Sequence, residues 1–443
     1  MHDIVNRVTI GSLLHDIGKV LHRAPNLDGR AHSISGRDWV SQFIDDQSIL
    51  DCIRYHHHQD IANAALASDS LAYVVYLSDN ISAGADRREI EGEAATGFAK
   101  NRPQESIYNL LNNANGQAAY KVAEIRAKIN YPQELTAYDP ATAYSQLIAG
   151  MTEGMRGLNL QTELRAEYVN SLLELTEAHL SYVPSSTYLG EVSDISLFDH
   201  VKITAAFASA MVLYLADKNL TDYQSALFKN RQNFYNEKTF CLFSCDVSGI
   251  QQFIYTISSK GALKGLRSRS FYLEVLLENL ADEILSACSL YRSNLIYTGG
   301  GHAYLLLPNT VKARTQAADA VLNLNRKLIE LFDTRLFVSH GSQECSANEL
   351  MSKTDDPEDY RNIFRSLAAQ ISERKLRRFS AEQLRQLNCN ETDKAGRECR
   401  VCGVSSNLEE RKEWSGAEDY GQNPNQNADQ SANQNPNQNA DQS

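Results

Sequence analysis

IGSLLHDIGKVL, residues 10–21, is an apolar run broken by two adjacent polar residues, His15 and Asp16, with Lys19 one turn after His15. Its apolar character predicts a single helix over Ile10 to Leu21. Neighbouring helical positions cannot both face a core, and desolvating an imidazole or a carboxylate there is costly. Holding a metal ion offsets that cost, because neutral imidazole and carboxylate are good ligands for Mn, Fe, Ni or Zn. Working outward, His32, the run His56-His57-His58 and Asp79 in VVYLSDNISAG add ligand types within the first 100 residues. Asp79 is expected to close a second apolar helix. Two metals would polarise a phosphodiester and generate hydroxide at neutral pH. Lys19 is then expected to act as a catalytic cation, stabilising the charge that develops on the phosphoryl or leaving oxygens. The bland reading is that HD is a common dipeptide and the histidine run a solvated loop.

Beyond residue 100 the composition shifts. Residues 101–235 are expected to be a helical linker region, with amphipathic runs such as Glu163 to Leu180 and His200 to Leu215. Residues 236–345 alternate short strands with helices: FCLFSCDV (240–247), helices over Gly249–Ser258 and Ser270–Ala287, a strand over Asn294–Thr298, and a Gly299-Gly300-Gly301 hairpin into His302–Leu307. A helix from Val311 to Phe332 and a strand at Arg335 to Ser339 follow. This β-α-β-β-α-β order is the ferredoxin-like arrangement, so the fold class is α+β. Asp246 ends the first strand with Ser248 and Gly249 behind it, the glycine hairpin permits close backbone approach to a phosphate, and Lys260, Lys264, Arg267 and Arg269 form a basic strip. Glycine hairpins and basic faces mostly carry no ligand.

Residues 346–410 are charged and hold Cys389, Cys399 and Cys402, three of the four ligands a structural zinc site needs. Residues 411–443 contain QNPNQNADQS at 422–431 and again at 434–443. That repeat has no apolar face and is expected to be disordered.

The whole chain of 443 residues has 43 basic and 55 acidic side chains, a net charge of −12 and a pI near 5.5. This argues against coating nucleic acid through bulk positive charge, though not against a local basic groove or a basic partner. Mean hydropathy is −0.40, and the longest apolar run, Thr204 to Ala216, falls short of a membrane span. The first residues lack a signal-peptide pattern, so a cytoplasmic protein without membrane partners is expected.

The segments LLHDIGKVLHRA, HSISGRDWV, the adjacent histidines and YLSDNISAGADRR resemble the HD phosphohydrolase superfamily, and closely the HD domain of the large subunit of type III-A CRISPR effector complexes. The resemblance implies an all-helical, metal-dependent single-strand deoxyribonuclease over residues 1–100, using Mn, Ni or Co. It carries metal ligation onto His15, Asp16, His57 and Asp79, and more loosely onto His32 and His56. Ordinary HD enzymes place a first ligand well upstream of the HD pair, where this chain offers only His2 near a terminus. In the large-subunit family the HD fold looks circularly permuted, and LFDHVKITAAFASAM would then supply the displaced element through His200. The alternative is a helix-start histidine capped by Asp199.

CDVSGIQQFIYTISSKGALKGLRSRSFYLEVLLENL and IYTGGGHAYLLLPNT are similar to the first palm domain of the same subunit. That implies ATP binding around Asp246, Ser248, Gly249, Lys264, Arg267 and Gly299–Gly301. It also implies CRISPR RNA-containing partner subunits, single-stranded DNA as substrate and target RNA as activator. In the family a second palm with Gly-Gly-Asp-Asp makes cyclic oligoadenylate. That tetrapeptide is absent here, so a C-terminally truncated product without cyclase activity and with an incomplete zinc module is expected. The competing expectations are a truncated, non-catalytic scaffold of the complex and a nucleotide phosphohydrolase using the same HD residues.

Overall fold

The computed structural model describes residues 2–25, 29–86, 88, 90, 96–112, 117–126, 129–136, 138–158, 166–255 and 262–389. Cys399, Cys402, Lys260 and the repeat tail lie outside them, and Cys389 closes the last helix with its side chain undescribed.

Six helices come first: α1 (His2–Leu14), α2 (Gly18–Arg23), α3 (His32–Val40), α4 (Gln47–Arg54), α5 (His58–Ala62) and α6 (Ala72–Asp86). The single helix expected over residues 10–21 is therefore two, with His15, Asp16 and Ile17 in the turn between them. The break removes the geometric objection that two neighbouring residues cannot both point inward. His15 is 0 % and Asp16 1 % exposed. Gly18 opens α2 because the helix crosses α3 closely: a Cβ there would lie 1.8 Å from the His32 carbonyl oxygen. α4 starts where Asp46 accepts hydrogen bonds from the amides of Ser48 and Ile49, at 2.9 and 3.3 Å. α6 runs on through Asp79 to Asp86, so Asp79 sits mid-helix and does not close it.

The stretch expected to be a helical linker departs from that reading in its first third. β1 (Gln104–Glu105), β2 (Ala118–Tyr120) and β3 (Gln133–Glu134) form a small antiparallel sheet in the order β1-β2-β3, with one turn of helix, α7 (Tyr108–Leu111), inside it. The helical period returns with α8 (Ala141–Leu158), α9 (Ala166–Leu180) and α10 (Leu197–Asp217). A π-helical turn at Gln224–Lys229 and α11 (Arg231–Asn236) follow. α10 is long and apolar enough to cross a membrane by length and composition, yet it is mostly buried and packs against α1 and α6. Ser196 caps it, accepting from the Asp199 amide at 2.9 Å.

The second half is built as β4 (Phe240–Ser248), α12 (Ile250–Tyr255), α13 (Ala262–Ala287), β5 (Leu295–Gly299), β6 (His302–Pro308), α14 (Val311–Phe332) and β7 (Phe337–Cys345). The sheet order is β5-β6-β4-β7, antiparallel throughout, as the β-α-β-β-α-β reading requires. β4 is buried at every position. Cys241, Phe243, Cys245 and Val247 join the core under α13 and α14, while Phe240 and Leu242 join the one continuous with α10. The hairpin pairs Gly299 with His302 across Gly300 and Gly301, whose φ angles are +61° and +85°. Two successive positive φ values match the twist of the flanking strands and demand glycine. α15 (Ala347–Leu350), α16 (Asp359–Leu376) and α17 (Ala381–Cys389) end the described chain, α16 lying against β7 and β4.

Candidate metal centre

Three imidazoles are held from behind, each through Nδ1. His15 Nδ1 lies 2.7 Å from the Ser12 carbonyl oxygen, His56 Nδ1 2.7 Å from the Ile53 carbonyl oxygen, and His200 Nδ1 2.9 Å from Asp86 Oδ2. Donation at Nδ1 leaves each Nε2 as the ring atom turned inward, the arrangement that orients a metal-binding histidine. His200 Nε2 is 3.1 Å from Asp79 Oδ1, and His15 Nε2 is 3.7 Å from the same oxygen. His57 Nε2 and His32 Nε2 are 2.8 Å apart, with His56 Nε2 3.3 Å from His32 Nε2.

Two groups result, His15–Asp79–His200 and His32–His56–His57, each with its ligand atoms within 4.8 Å of one another. Asp16 stands between them. Its Oδ1 is 3.3 Å from His32 Nε2 and 3.7 Å from His56 Nε2, and its Oδ2 is 3.4 Å from His15 Nε2 and 3.5 Å from His200 Nε2. His15 Nε2 and Asp16 Oδ1 are buried without a hydrogen-bond partner of good geometry. Orphaned buried donors and acceptors are expensive, and a cation between them would satisfy both at once. The donor set, imidazole nitrogen and carboxylate oxygen, fits a divalent transition metal on each side of Asp16.

The electrostatics divide the same way. Burial resists charge on His15, but Asp16 and Asp79 outweigh it and push its pKa up to about 10. His200 is also raised, burial again being overcome by Asp79 and Asp86. Burial works against ionised Asp16 and Asp79 too, yet Lys19 and His15 hold the first, and His15 and His200 the second, well below the usual carboxylate range. On the other side burial and neighbouring imidazoles lower His56 strongly and His57 less so. Free of metal, His15 therefore favours its charged form and a bound ion would displace its Nε2 proton, whereas burial favours neutral His56 and His57.

Of the residues expected from sequence, His15, Asp16, His32, His56, His57 and Asp79 converge here. His58 turns away, its Nδ1 3.1 Å from the Tyr76 hydroxyl and its ring stacked on Phe228. His2 lines a separate cleft with Asn170 and Arg292. His200 takes the ligand-like position, and Asp199 serves the helix start. Asp86 was not anticipated, although it follows Asp79 by two helical turns and so shares its face. Lys19 is tied down, its Nζ 2.5 Å from Asp16 Oδ2 and donating to the Ser185 carbonyl at 3.1 Å. A cleft of about 670 Å³ opens onto His32 and His57 and is lined further by Lys19, Arg23, Lys100, Phe98, Tyr188 and Glu191.

The second candidate site is arranged differently. Asp246 faces His302 Nδ1 at 2.8 Å and is ion-paired with Lys375 of α16. Ser248, Gly249 and the glycine hairpin lie at the same end of the sheet, where the Val247 amide donates to the Gly301 carbonyl at 2.9 Å. Lys264 and Arg267 are exposed on α13, and Arg269 donates to the Phe253 carbonyl.

Comparison with known proteins agrees with this division. The HD domain family matches residues 3–84, and the family described as Csm1 subunit domain B matches residues 239–390. The chain is 41 % identical over 434 residues to the CRISPR system single-strand-specific deoxyribonuclease Cas10/Csm1 (subtype III-A) of Mycobacterium tuberculosis, covering 89 % of this chain and 53 % of that protein. It is 39 % identical over 407 residues to the protein of the same name from Enterococcus italicus, covering 88 % and 53 %. The chain thus spans about half the length of the curated relatives it matches. Among solved structures, a Csm1–Csm4 cassette in complex with cA4 superposes with a TM-score of 0.67 at 26 % identity, covering 87 % of this chain and 50 % of that one. The cassette with one ATP gives 0.65 at 25 % identity, with coverage of 87 % and 50 %.

Proposed function

We infer the function of this chain from its membership of the Cas10/Csm1 family of subtype III-A, to which it belongs, and propose that it is a metal-dependent, single-strand-specific deoxyribonuclease acting within an RNA-guided effector complex. The observation that supports this most directly is the pair of imidazole groups joined by Asp16. Metal at such a site supplies Lewis acidity toward a phosphodiester and an activated water. On this reading His15, Asp79 and His200 would hold one ion and His32, His56 and His57 the other, with Asp16 within reach of both groups. Asp86 orients His200, and Lys19 keeps Asp16 ionised and in place. The cleft beside His32 and His57 admits the DNA strand.

The sheet domain is read as the first palm, with ATP at the end of the sheet formed by Ser248, Gly249 and Gly299–Gly301 and with Lys264 and Arg267 toward the phosphates. Partner subunits carrying CRISPR RNA, and target RNA as activator, belong to the same proposal.

The experiment is cleavage of labelled single-stranded DNA by the purified chain with Mn, Ni, Co or Mg, beside the His15→Ala/Asp16→Ala double variant. Metal-dependent cutting lost in the variant is the expected result. Hydrolysis confined to free nucleotides would replace the reading with a nucleotide phosphohydrolase. A folded chain inert with every metal would favour a scaffold.

A further inference from the structure

Phe98 is 76 % exposed, a large apolar ring beside the charged lining of the cleft that leads to His32 and His57. Its position is fixed by backbone. Phe98 and Tyr188 form an isolated antiparallel bridge, flanked by hydrogen bonds from the Ala99 amide to the Thr187 carbonyl at 3.0 Å and from the Leu189 amide to the Gly97 carbonyl at 2.9 Å. The two rings stand 5.4 Å apart with their planes at 52°. Gly97, at φ +112°, makes the bend before Phe98. Tyr188 is braced from behind, since a Cβ on Gly190 would come within 2.5 Å of its ring. The same cleft is lined by Lys19, Arg23 and the exposed Lys100, with Glu191 as its acidic member.

An aromatic pair held by its backbone bridge, Phe98 exposed and Tyr188 half-buried, set among cations and continuous with a candidate phosphodiester-cleaving centre, fits an unpaired nucleic-acid strand. Bases stack on aromatic faces while the backbone follows positive charge. We propose that Phe98 and Tyr188 are a stacking platform for bases of the single-stranded DNA substrate, with Lys100 toward its phosphates. This rests on the nuclease reading and deepens it. The bases of a duplex are already stacked on one another and have no face to offer, so the platform contributes to the choice of single strands.

The test is binding, with metal removed by chelation, of a labelled thymidylate oligonucleotide and of a strand of equal length made of abasic sites. The wild-type chain should prefer the base-bearing strand by about tenfold or more, on the scale of one stacked base. Phe98→Ala should remove most of that preference and Phe98→Trp retain it; the exposure of Phe98 keeps both variants folded. Lys100→Ala should weaken both strands alike and flatten the salt dependence. Equal affinity of the wild type for the two strands, or a preference unmoved by Phe98→Ala, overturns the platform. Preference lost in Phe98→Ala from a chain that cuts no DNA with any metal would sustain the platform and sink the nuclease reading.

Discussion

The two halves of the molecule treat buried acids in opposite ways. In the sheet domain Asp246 meets one close partner at each oxygen, His302 Nδ1 on the neighbouring strand and Lys375 from α16. In the helical half Asp16 is deeper, and besides Lys19 it faces four imidazole nitrogens at 3.3 to 3.7 Å, two of them on each oxygen. Those nitrogens belong to rings already fixed by Nδ1 or crowded against one another, His200 Nε2 bonding Asp79 at 3.1 Å, and none approaches Asp16 closer than 3.3 Å. One carboxylate meets a single side chain at each oxygen; the other meets several imidazoles at once, the arrangement a shared cation would complete. The difference marks Asp16, and not Asp246, as the candidate metal ligand, and four experiments bear on it.

The largest effect belongs to the group that both histidine sets share. On the nuclease reading proposed above, Asp16→Asn should lower single-strand DNA cleavage by more than the roughly 100-fold that an outer partner of a ligand is worth, and should reduce bound metal, measured by equilibrium dialysis against Mn; retention of full metal content would separate Asp16 from the site. Gly18→Ala should cost roughly 3 kcal/mol, read as a fall in the urea midpoint, because backbone rather than a flexible side chain blocks the Cβ. An unchanged midpoint would mean that α2 and α3 can separate freely.

Asp86→Asn sharpens the contrast from the outer side. It should weaken metal binding by about 10- to 100-fold while leaving the fold intact, since Asp86 acts on the ion only through His200. An effect as large as that of Asp16→Asn would make Asp86 a ligand itself.

The smallest effect lies in the sheet domain and depends on pH. Burial, then Arg374, pushes the His340 pKa down to about 4. The unfolded chain therefore takes up a proton near the ordinary histidine value while the folded chain resists, so stability falls as pH drops from about 6.5 toward 4 and then levels. Between pH 7 and pH 5 the loss from this group should be at most ~2 kcal/mol. His340→Gln should flatten the urea midpoint against pH over that window; an identical slope would assign the loss elsewhere.

Much of the sheet domain was legible in advance. α14 spans Val311–Phe332 as read, and the glycine hairpin and strand order followed from local signals: period-two runs, a run of glycines for the turn, and helical stretches before and after the central hairpin. The strip of sheet at 104–134 was missed because two- and three-residue strands carry too short a pattern to register against neighbouring helices. The residues that converge on the candidate metal centre were legible as types and, for six of them, as numbers. His200 stood between two readings, and Asp86 had no signal beyond its spacing from Asp79.

The sequence by itself determined the chemistry available: histidines and aspartates delivered by apolar segments, and a glycine turn that only one backbone conformation suits. Tertiary structure decided which of them meet. Breaking the first helix at His15 lets two adjacent side chains face inward together, and burying α10 against α1 and α6 brings His200 within 3.1 Å of an aspartate 121 residues away. Local spacing cannot encode either event. A helix break inside an apolar run and a contact at that separation are chosen by packing, where filling the core outweighs the preference of any single turn.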